Sequence, residues 1–291
     1  MVDGWAVNFN YKNKEMKQRY HNSQKEVKGM NTADLREQFL VDQLMNHGEI
    51  TFTYSHYDRV IVGGAVPTTK SLTLENFAML RAEYFLERRE MGVINVGGAG
   101  SLTVDGETFQ VNKKDCLYIG RGSKSVSFSS ASASEPAVFY ILSTPAHKEY
   151  ATTLMKAEDA TPVTLGTAET SNHRTIYKYI YADGIQSCQL VMGLTILNTG
   201  SVWNTMPAHV HDRRMEAYFY FDLASGQTIF HFMGEPQETR NITIHNHEAV
   251  ISPPWSIHSG CGTSNYSFIW GMGGENQDYG DMDPVAIIDL K

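Results

Sequence analysis

The chain has 291 residues, 42% of them hydrophobic, and a formal net charge of −8 at pH 7. This length allows one large domain or two modest ones with a well-filled core. The negative charge, without any block of like charges, argues against nucleic acid or an anionic membrane surface as a partner. No apolar run approaches the roughly 18 residues of a membrane span and no signal-peptide pattern opens the chain, so we expect a soluble, cytoplasmic protein without a membrane partner.

The first thirty residues are polar and lack a clear hydrophobic period, and we expect an N-terminal extension or arm over 1–30. The segment 31–41 then has the pattern of a short capped helix. Thr32 is the expected N-cap, and Leu35 and Phe39 lie on its apolar face. This helix opens the first predicted domain, 31–150.

Short strands separated by turns follow from residue 51 onward. The stretch 101–104 alternates and ends at Asp105-Gly106, which is a strong hairpin signal. A stretch rich in Pro, Thr, Ala and charge at 151–172 indicates a linker between the two halves.

The second half, 173–291, has the same pattern of short strands separated by turns. Strands are predicted at 174–181, 187–197, 215–222, 227–233, 240–245, 248–252 and 266–272. Many short strands at this spacing, with few helical windows, favour sandwiches or barrels. The predicted fold class is therefore all-β, with two tandem barrels and a few short helices.

Three histidines and one glutamate in the second half have the spacing of a metal site. His209 and His211 are two residues apart, so on a β-strand both rings lie on one face. Glu216 follows on the same strand, and His258 comes after a later proline turn. Such a set can close around one divalent ion of the zinc, manganese, iron or nickel type and leave positions open for water or substrate.

Parts of the first half resemble parts of the second. The similar pairs of segments are 86–96 with 211–221 and 115–120 with 248–253. In the first copy, Tyr84 and Leu86 occupy the positions that His209 and His211 hold in the second. The simplest interpretation is a duplicated barrel whose N-terminal copy has lost its metal.

Together these motifs resemble the two motifs of the cupin superfamily, which are small jelly-roll barrels that hold a metal inside. More narrowly, the chain resembles the family of 5-dehydro-4-deoxy-D-glucuronate isomerases, also called 4-deoxy-L-threo-5-hexosulose-uronate ketol-isomerases. The similar segments are 35–40, 59–64, 84–90, 92–98, 203–207, 255–260, 268–272 and 274–277. Residues 1–15 precede the usual start of this family, which corresponds to Met16, and are expected to be an extension or the product of a misplaced start codon.

The resemblance implies two tandem cupin-type jelly-roll barrels and a bacterial enzyme of pectin and uronate breakdown. Its expected substrate is a small keto-uronate, because the family interconverts 5-dehydro-4-deoxy-D-glucuronate and 3-deoxy-D-glycero-2,5-hexodiulosonate. The resemblance also implies a homo-oligomer, specifically a hexamer. One zinc ion per subunit is implied, held by His209, His211, Glu216 and His258.

An aldose–ketose isomerase moves a proton between adjacent carbon atoms of its substrate. A divalent metal serves such a reaction as a Lewis acid, and zinc has no redox chemistry that would divert it into oxidation. Glu216 is expected to be a metal ligand. The alternative is that this carboxylate dissociates and acts as the base.

The carboxylate of a uronate requires an arginine or a lysine. Arg213, Arg174 and Lys178, together with Arg214, lie in or near the metal motifs and are the candidates. The alternative for each arginine is a solvated or inter-subunit salt bridge. A turn before Glu216 would also spoil the strand alternation that places Arg213 with the histidines.

Aromatic residues in the second half have two interpretations each. Tyr218, two residues after Glu216, is the candidate catalytic acid or hydrogen-bond donor, and ordinary barrel lining is the alternative. Trp203, Trp255 and Trp270 are assigned first to the core, with a sugar-stacking wall as the alternative.

Two other functions are open at this point. An iron-dependent cupin dioxygenase would use the same ligand set, because the ligands alone do not select the metal. A non-catalytic carbohydrate-binding cupin would use the metal only to shape a pocket. The fold does not decide among these, since one barrel hosts many functions.

Overall fold

A computed structural model describes residues 15–291, so the predicted extension over 1–30 lies partly outside the described range. The strands of the first half are β1 Lys17–Arg19, β2 Leu40–Val41, β3 Ile50–Ser55, β4 Ile61–Ala65, β5 Leu72–Thr73, β6 Arg89–Asn95, β7 Gly100–Val104, β8 Glu107–Val111, β9 Cys116–Ile119, β10 Val126–Ser130, β11 Phe139–Pro145 and β12 Thr153–Met155. The strands of the second half are β13 Val163–Leu165, β14 Arg174–Ile180, β15 Val191–Leu197, β16 Trp203–Asn204, β17 His209–Val210, β18 Arg214–Phe221, β19 Ile229–Glu235, β20 Glu238–Ile244, β21 Ala249–Ser252, β22 Ser259–Gly262, β23 Ser267–Gly274 and β24 Asp283–Pro284. The helices are α1 Gln24–Lys28 and α2 Thr32–Phe39, with short 3₁₀ turns at Ala78–Leu80, Ala157–Asp159 and Ile287–Asp289.

The strands form two sandwiches, one in each half of the chain. In the first, a seven-stranded sheet of order β1-β3-β4-β11-β6-β9-β12 faces a four-stranded sheet of order β5-β10-β7-β8. In the second, β13-β14-β15-β23-β18-β21-β2 faces β16-β22-β19-β20, and β17 pairs with β24. Central pairs such as β6 with β11 and β18 with β23 are antiparallel. The prediction of an all-β chain with two tandem jelly-roll barrels is confirmed.

Both sandwiches follow the same strand order. The run β3-β4-β11-β6-β9 corresponds to β14-β15-β23-β18-β21, and β5-β10-β7-β8 corresponds to β16-β22-β19-β20. In this correspondence β6 matches β18, as the similarity of 86–96 to 211–221 predicts. Each barrel therefore has an equivalent end, at which β6 or β18 begins.

The two seven-stranded sheets pack against each other, which explains why their central strands are buried on both faces. All seven residues of β6 and all eight of β18 are buried. Met91 and Val93 belong to the core of the first barrel, whereas Ile94 belongs to the core shared with the second. Tyr140 of β11 stacks on Phe219 of β18, with 4.6 Å between ring centroids. A strand covered on both faces becomes a nearly continuous apolar run rather than an alternating one.

A buried carboxylate also joins the two barrels. Glu90 on β6 is fully buried and accepts hydrogen bonds from the hydroxyls of Tyr118, at 2.8 Å, and Thr144, at 2.9 Å. It also accepts the backbone N–H groups of 188–190 at 2.7 to 3.0 Å, in the segment that leads into β15. A carboxylate is tolerated in the interior when its oxygens are satisfied in this way. The contact anchors the start of the second barrel on the first.

Strand pairing departs from the predicted boundaries at both ends of the first barrel. The helix α2 and the strand β2 fall in the predicted first domain, 31–150, but β2 pairs with β21 of the second barrel. The guanidinium of Arg36 also donates to the carbonyl of Thr243 at 2.8 Å. The predicted linker, 151–172, contains β12, which extends the first barrel, and β13, which extends the second. Sheet edges leave backbone groups unpaired, and these short segments cover them. The division of the chain into domains at 31–150, 151–172 and 173–291 stays a prediction.

The helix α2 begins one residue earlier than predicted. Its N-cap is Asn31 rather than Thr32, and the side chains of Asn31 and Asp34 form a reciprocal capping box. Leu35 and Phe39 are buried, as their spacing predicts. No helix among residues 15–291 has the length and apolar character needed to span a bilayer.

Candidate metal centre

The four predicted metal ligands come together inside the second barrel. One nitrogen or oxygen atom from each of them lies within 4.8 Å of the corresponding atom of every other. His258 Nε2 lies 2.9 Å from Glu216 Oε2 and 2.9 Å from His209 Nε2. His211 Nε2 lies 2.9 Å from the same Glu216 oxygen. The side chains of His211, Glu216 and His258 are buried, and that of His209 is partly exposed.

Separate segments of the chain carry these side chains. His209 lies on β17, whose partner strand β24 comes from the C-terminal segment. His211 follows that strand, and its backbone N–H donates to the carbonyl of Pro254 at 3.2 Å, in the turn that leads to His258. Glu216 is the third residue of β18. Because the chain leaves the strand at His211, the cluster depends on this turn contact as well as on strand alternation.

Further hydrogen bonds orient two of the imidazoles. His211 Nδ1 lies 2.7 Å from the backbone oxygen of Asp281, and since a carbonyl only accepts, Nδ1 is the donor of this bond and Nε2 is the ring nitrogen that faces the cluster. His258 Nδ1 lies 3.3 Å from the hydroxyl oxygen of Ser252. Partners of this kind are typical of metal-binding histidines, because they fix both the tautomer and the ring orientation.

The electrostatics favour an anionic Glu216 carboxylate and lower the pKa of both His209 and His258. Burial by itself raises the pKa of Glu216, but His258 and His211 outweigh it and leave the pKa of this carboxyl below its usual range. Burial lowers the pKa of His209 to about 2, and His258 contributes to the same shift. Burial also lowers the pKa of His258. A neutral imidazole and an ionised carboxylate are the forms that bind a metal cation.

The donor set fits a divalent metal ion. Bonds from such an ion to imidazole nitrogen or carboxylate oxygen are about 2.0 to 2.2 Å long, so adjacent ligand atoms lie about 3 Å apart. The three separations of 2.9 Å agree with this spacing. Three nitrogens and one oxygen suit zinc, manganese, iron and nickel alike, so the residues fit a metal centre without selecting its metal.

A cavity of about 450 Å³ opens onto this cluster. His209, His211 and Glu216 form part of its wall. The other polar or aromatic residues that line it include Arg174, Thr195, Thr205, Tyr218, Trp270 and Tyr279. A small polar molecule in this space would therefore contact both the donor cluster and a guanidinium.

Tyr218, the predicted catalytic residue, lines the cavity. Its hydroxyl lies 3.1 Å from Thr205 Oγ1, and its ring centroid lies 5.3 Å from that of His258. Burial raises the pKa of Tyr218 well above its usual value, and the negative charge of Glu216 adds to the effect. The phenol therefore keeps its proton and can serve as a hydrogen-bond donor.

Two of the predicted substrate-binding residues lie on one strand, β14. Arg174 lines the cavity, and its Nη1 donates to the carbonyl of Asn172 at 3.0 Å. No carboxylate among residues 15–291 pairs with this guanidinium. Lys178 does not line the cavity, and its Nζ lies over the rings of Tyr181 and Tyr279 at 5.0 and 4.9 Å from the centroids. Lys178 therefore contacts Tyr279, which lines the cavity, but does not itself line the cavity.

The structure places Arg213, a further predicted substrate-binding residue, in two ion pairs and outside the cavity lining. Its Nε donates to Asp281 Oδ1 and its Nη2 to Asp283 Oδ2, each at 2.6 Å, and the side chain is 36% exposed. It does not line the cavity. The reason is the turn at 212–213, which breaks the alternation between His211 and β18. The alternative interpretation, a solvated salt bridge, describes this arginine.

The segment 276–284 closes the site, although no role was predicted for it. The fully buried Arg214, a further candidate for the substrate carboxylate, instead donates to the carbonyls of Asp278, at 2.8 Å, and Asp281, at 3.1 Å. The Asp281 carbonyl also binds His211, and Tyr279 reaches the cavity. The one signal in the sequence is a run of Asn, Asp and Gly after the last long strand.

The tryptophans divide between core and cavity. Trp270 lines the cavity, and its indole N–H donates to Thr195 Oγ1 at 3.2 Å. Trp203 stacks on Phe232 with 5.8 Å between centroids, and Trp255 packs partly buried against the core.

The fold is shared with proteins of known structure. An IolB-like protein from Salmonella typhimurium LT2 matches 87% of this chain and 97% of its own, with a TM-score of 0.66 and 14% sequence identity. An oxalate decarboxylase from Lactobacillus farciminis, in complex with formate, matches 86% of this chain and 88% of its own, with a TM-score of 0.58 and 9% identity. At these identities the similarity shows the fold alone, and it agrees with two cupin barrels.

Sequence comparison is more specific. A protein from Formosa agariphila named 4-deoxy-L-threo-5-hexosulose-uronate ketol-isomerase is 57% identical over 273 residues, which are 94% of this chain and 98% of the relative. A protein of the same name from Shouchella clausii is 54% identical over 94% of this chain and 99% of its own length. Residues 39–285 match the sequence pattern of the KduI/IolB family. The resemblance found in the sequence is thereby confirmed, and the chain belongs to the KduI/IolB family.

Proposed function

We propose that this protein is a 4-deoxy-L-threo-5-hexosulose-uronate ketol-isomerase. It would interconvert 5-dehydro-4-deoxy-D-glucuronate and 3-deoxy-D-glycero-2,5-hexodiulosonate during the breakdown of pectin and related uronate polymers. The observation that carries the proposal is one cavity that is lined both by His209, His211 and Glu216 of the donor cluster and by the guanidinium of Arg174, which pairs with no carboxylate among residues 15–291. The names of the relatives from Formosa agariphila and Shouchella clausii support it.

The metal that we propose is zinc, one ion per subunit, held by the four clustered side chains. Bound zinc would supply Lewis acidity to the substrate carbonyl without redox chemistry. The protein contributes the orientation of this site through the bonds of His211 to Asp281 and of His258 to Ser252. Glu216 contributes the negative charge, and we assign it as a ligand; the alternative remains that it acts as the base.

The cavity residues bind and orient the sugar acid. Arg174, already fixed through Asn172, would bind the substrate carboxylate, since a guanidinium pairs with a carboxylate through two parallel hydrogen bonds. Lys178 would add positive charge from behind Tyr279. Tyr218 would donate a hydrogen bond to a substrate oxygen while one proton moves between adjacent carbons. Reactant and product are isomers, so no oxidant or second substrate is consumed.

The partner of the site is thus a small-molecule keto-uronate. As the family resemblance implies, we propose a homohexamer in the cytoplasm, with the first barrel contributing to subunit contacts. Light scattering of the purified full chain measures the subunit number. A monodisperse monomer would contradict the hexamer.

The deciding experiment combines metal analysis with an assay. The purified protein is incubated with the unsaturated-uronate products of a polysaccharide lyase, and the aldehyde signal is followed by NMR. We expect about one zinc per chain, loss of the aldehyde signal, and loss of both zinc and activity in His209→Ala. His245→Ala, at a largely exposed histidine, is the matched control and should keep both.

Three results would overturn the proposal. One is full activity in protein stripped of all transition metals. Another is a persistent aldehyde signal with fully metal-loaded protein. The third is oxygen uptake with a catechol or thiol substrate, which would indicate a dioxygenase instead.

A further inference from the structure

The first barrel also has a cavity, at the end equivalent to the metal cavity. It has a volume of about 430 Å³ and is lined by residues that include Tyr54, His56, Phe85, Arg88, Arg89 and Pro145. Arg89, the first residue of β6, pairs with Pro145 on β11, as Arg214, the first residue of β18, pairs with Gly274 on β23. Arg214 and Gly274 do not line the metal cavity, so the two cavities lie near corresponding strand ends and have nearly the same size, but their lining positions differ.

The guanidinium of Arg89 is held by hydrogen bonds to neutral oxygens and forms no direct ion pair among residues 15–291. This side chain is only 6% exposed. Its Nε donates to Ser143 Oγ at 3.1 Å, and its Nη2 donates to the carbonyls of Arg59, at 2.7 Å, and Ser143, at 2.8 Å. Nη1 makes no hydrogen bond to any residue of 15–291, and the nearby carboxylate of Glu90 is occupied by the five donors described above. Because Nη1 is left without an acceptor among these residues, an anion that reached it would gain a charge-assisted hydrogen bond.

The rest of the lining adds positive charge and flat rings. Arg88 is exposed at the rim and donates to the carbonyl of Arg81. His56 lies 5.1 Å from Tyr54 between ring centroids, and its Nε2 lies 3.1 Å from Gln18 Oε1. Among residues 15–291, no acidic side chain lines this cavity. Two guanidinium groups beside an amide and aromatic faces are the groups that recognise a carboxylate on a sugar ring.

We propose that the first barrel binds a sugar acid of the hexuronate class, with its carboxylate on Arg89 and Arg88. The site binds without catalysing, because Tyr84, Leu86 and Met91 occupy the positions that His209, His211 and Glu216 hold in the second barrel. The class of ligand is argued from this cavity alone and does not depend on the reaction proposed for the second barrel.

Calorimetric titration of the full chain tests the proposal. The background protein carries His209→Ala and Arg174→Ala, which remove the metal cluster and the carboxylate partner of the second cavity. We expect this protein to bind D-glucuronate and not D-glucose. Adding Arg88→Ala or Arg89→Gln should weaken glucuronate binding about tenfold or more, since each removes a charged hydrogen bond.

Lys124→Ala is the matched control, because it removes an equal charge at an exposed residue that does not line the cavity. It should change the affinity less than twofold, within the range of about 0.5 kcal/mol for surface substitutions. Circular dichroism verifies that the Arg89→Gln protein is folded; if it is not, the exposed Arg88 decides the test.

The proposal is overturned if the background protein does not bind glucuronate, if glucose binds equally well, or if neither arginine substitution weakens binding. Inorganic phosphate is the second probe. Tighter binding of phosphate than of glucuronate would show a general anion site and would also overturn the assignment. None of these outcomes depends on whether the wild-type protein isomerises a keto-uronate.

Discussion

The two barrels have the same strand order but opposite interiors. At equivalent positions of β6 and β18, the first barrel has Met91 and Val93 where the second has Glu216 and Tyr218. The first interior is an apolar core, and the cavity of this barrel lies at the end of that core. The interior of the second barrel is polar. Besides the metal cluster it contains Tyr220, whose hydroxyl lies 2.7 Å from His231 Nδ1. The backbone thus offers the same positions twice, and the side chains decide whether they hold a core or a site.

The largest effect on activity is expected from removing the carboxylate of Glu216 in the second barrel. Glu216→Gln removes the anionic ligand and should lower kcat/KM about 1,000-fold, because a metal supplies several kcal/mol of transition-state stabilisation. Zinc content should fall with it. Met91→Leu at the equivalent position should leave activity unchanged and alter stability by less than about 1.5 kcal/mol. If Glu216→Gln keeps both zinc and activity, the second interior is not the site.

The contact between the barrels is tested at Glu90. Glu90→Ala leaves five donors without an acceptor and should lower the free energy of unfolding by about 3 kcal/mol or more, which thermal and urea unfolding measure. Glu158→Gln, at a side chain that is 76% exposed, is the matched control and should stay within about 0.5 kcal/mol. Equal stability of the two variants would mean that the barrels do not depend on this carboxylate.

The two arginines predicted from the sequence should differ in the assay. Arg174→Ala removes the guanidinium that lines the cavity and should reduce kcat/KM about 10- to 100-fold, with unchanged zinc content. Arg213→Ala breaks a partly exposed ion pair and should change kcat/KM by less than about fivefold. The reverse order would restore the interpretation that Arg213 binds substrate.

The smallest effect is expected at Tyr218. Tyr218→Phe removes one hydrogen-bond donor and should lower kcat about tenfold, with little change in metal content. Tyr177→Phe, on β14 of the same sheet and outside the cavity lining, provides the comparison. A kcat equal to that of the wild type would assign Tyr218 to barrel lining.

Several features were predictable because they depend on local pattern. Short alternating runs between turns are a local property, and they predicted the all-β fold. The four metal-site candidates were recognisable because His209, His211 and Glu216 are close in sequence and because His258 follows a proline turn. The structure brings all four together.

Other features depend on contacts between distant segments. The position of Arg213 was decided by a two-residue turn and by two aspartates near the C-terminus. The attachment of β2 to β21 likewise depends on an open sheet edge more than 200 positions further along the chain. No local pattern distinguishes an arginine that binds substrate from one that binds a neighbouring loop.

By itself, the sequence determined the strand-rich architecture, the family and the set of candidate ligand atoms, since alternation and short spacings follow from backbone geometry. Only the tertiary structure decided which charged groups stay free. Arg174 and Arg89 are left without carboxylate partners among residues 15–291, whereas Arg213 is neutralised and Arg214 is held by backbone carbonyls. The reason is that the availability of a charge depends on every neighbour that folding brings to it, and most of those neighbours are remote in sequence.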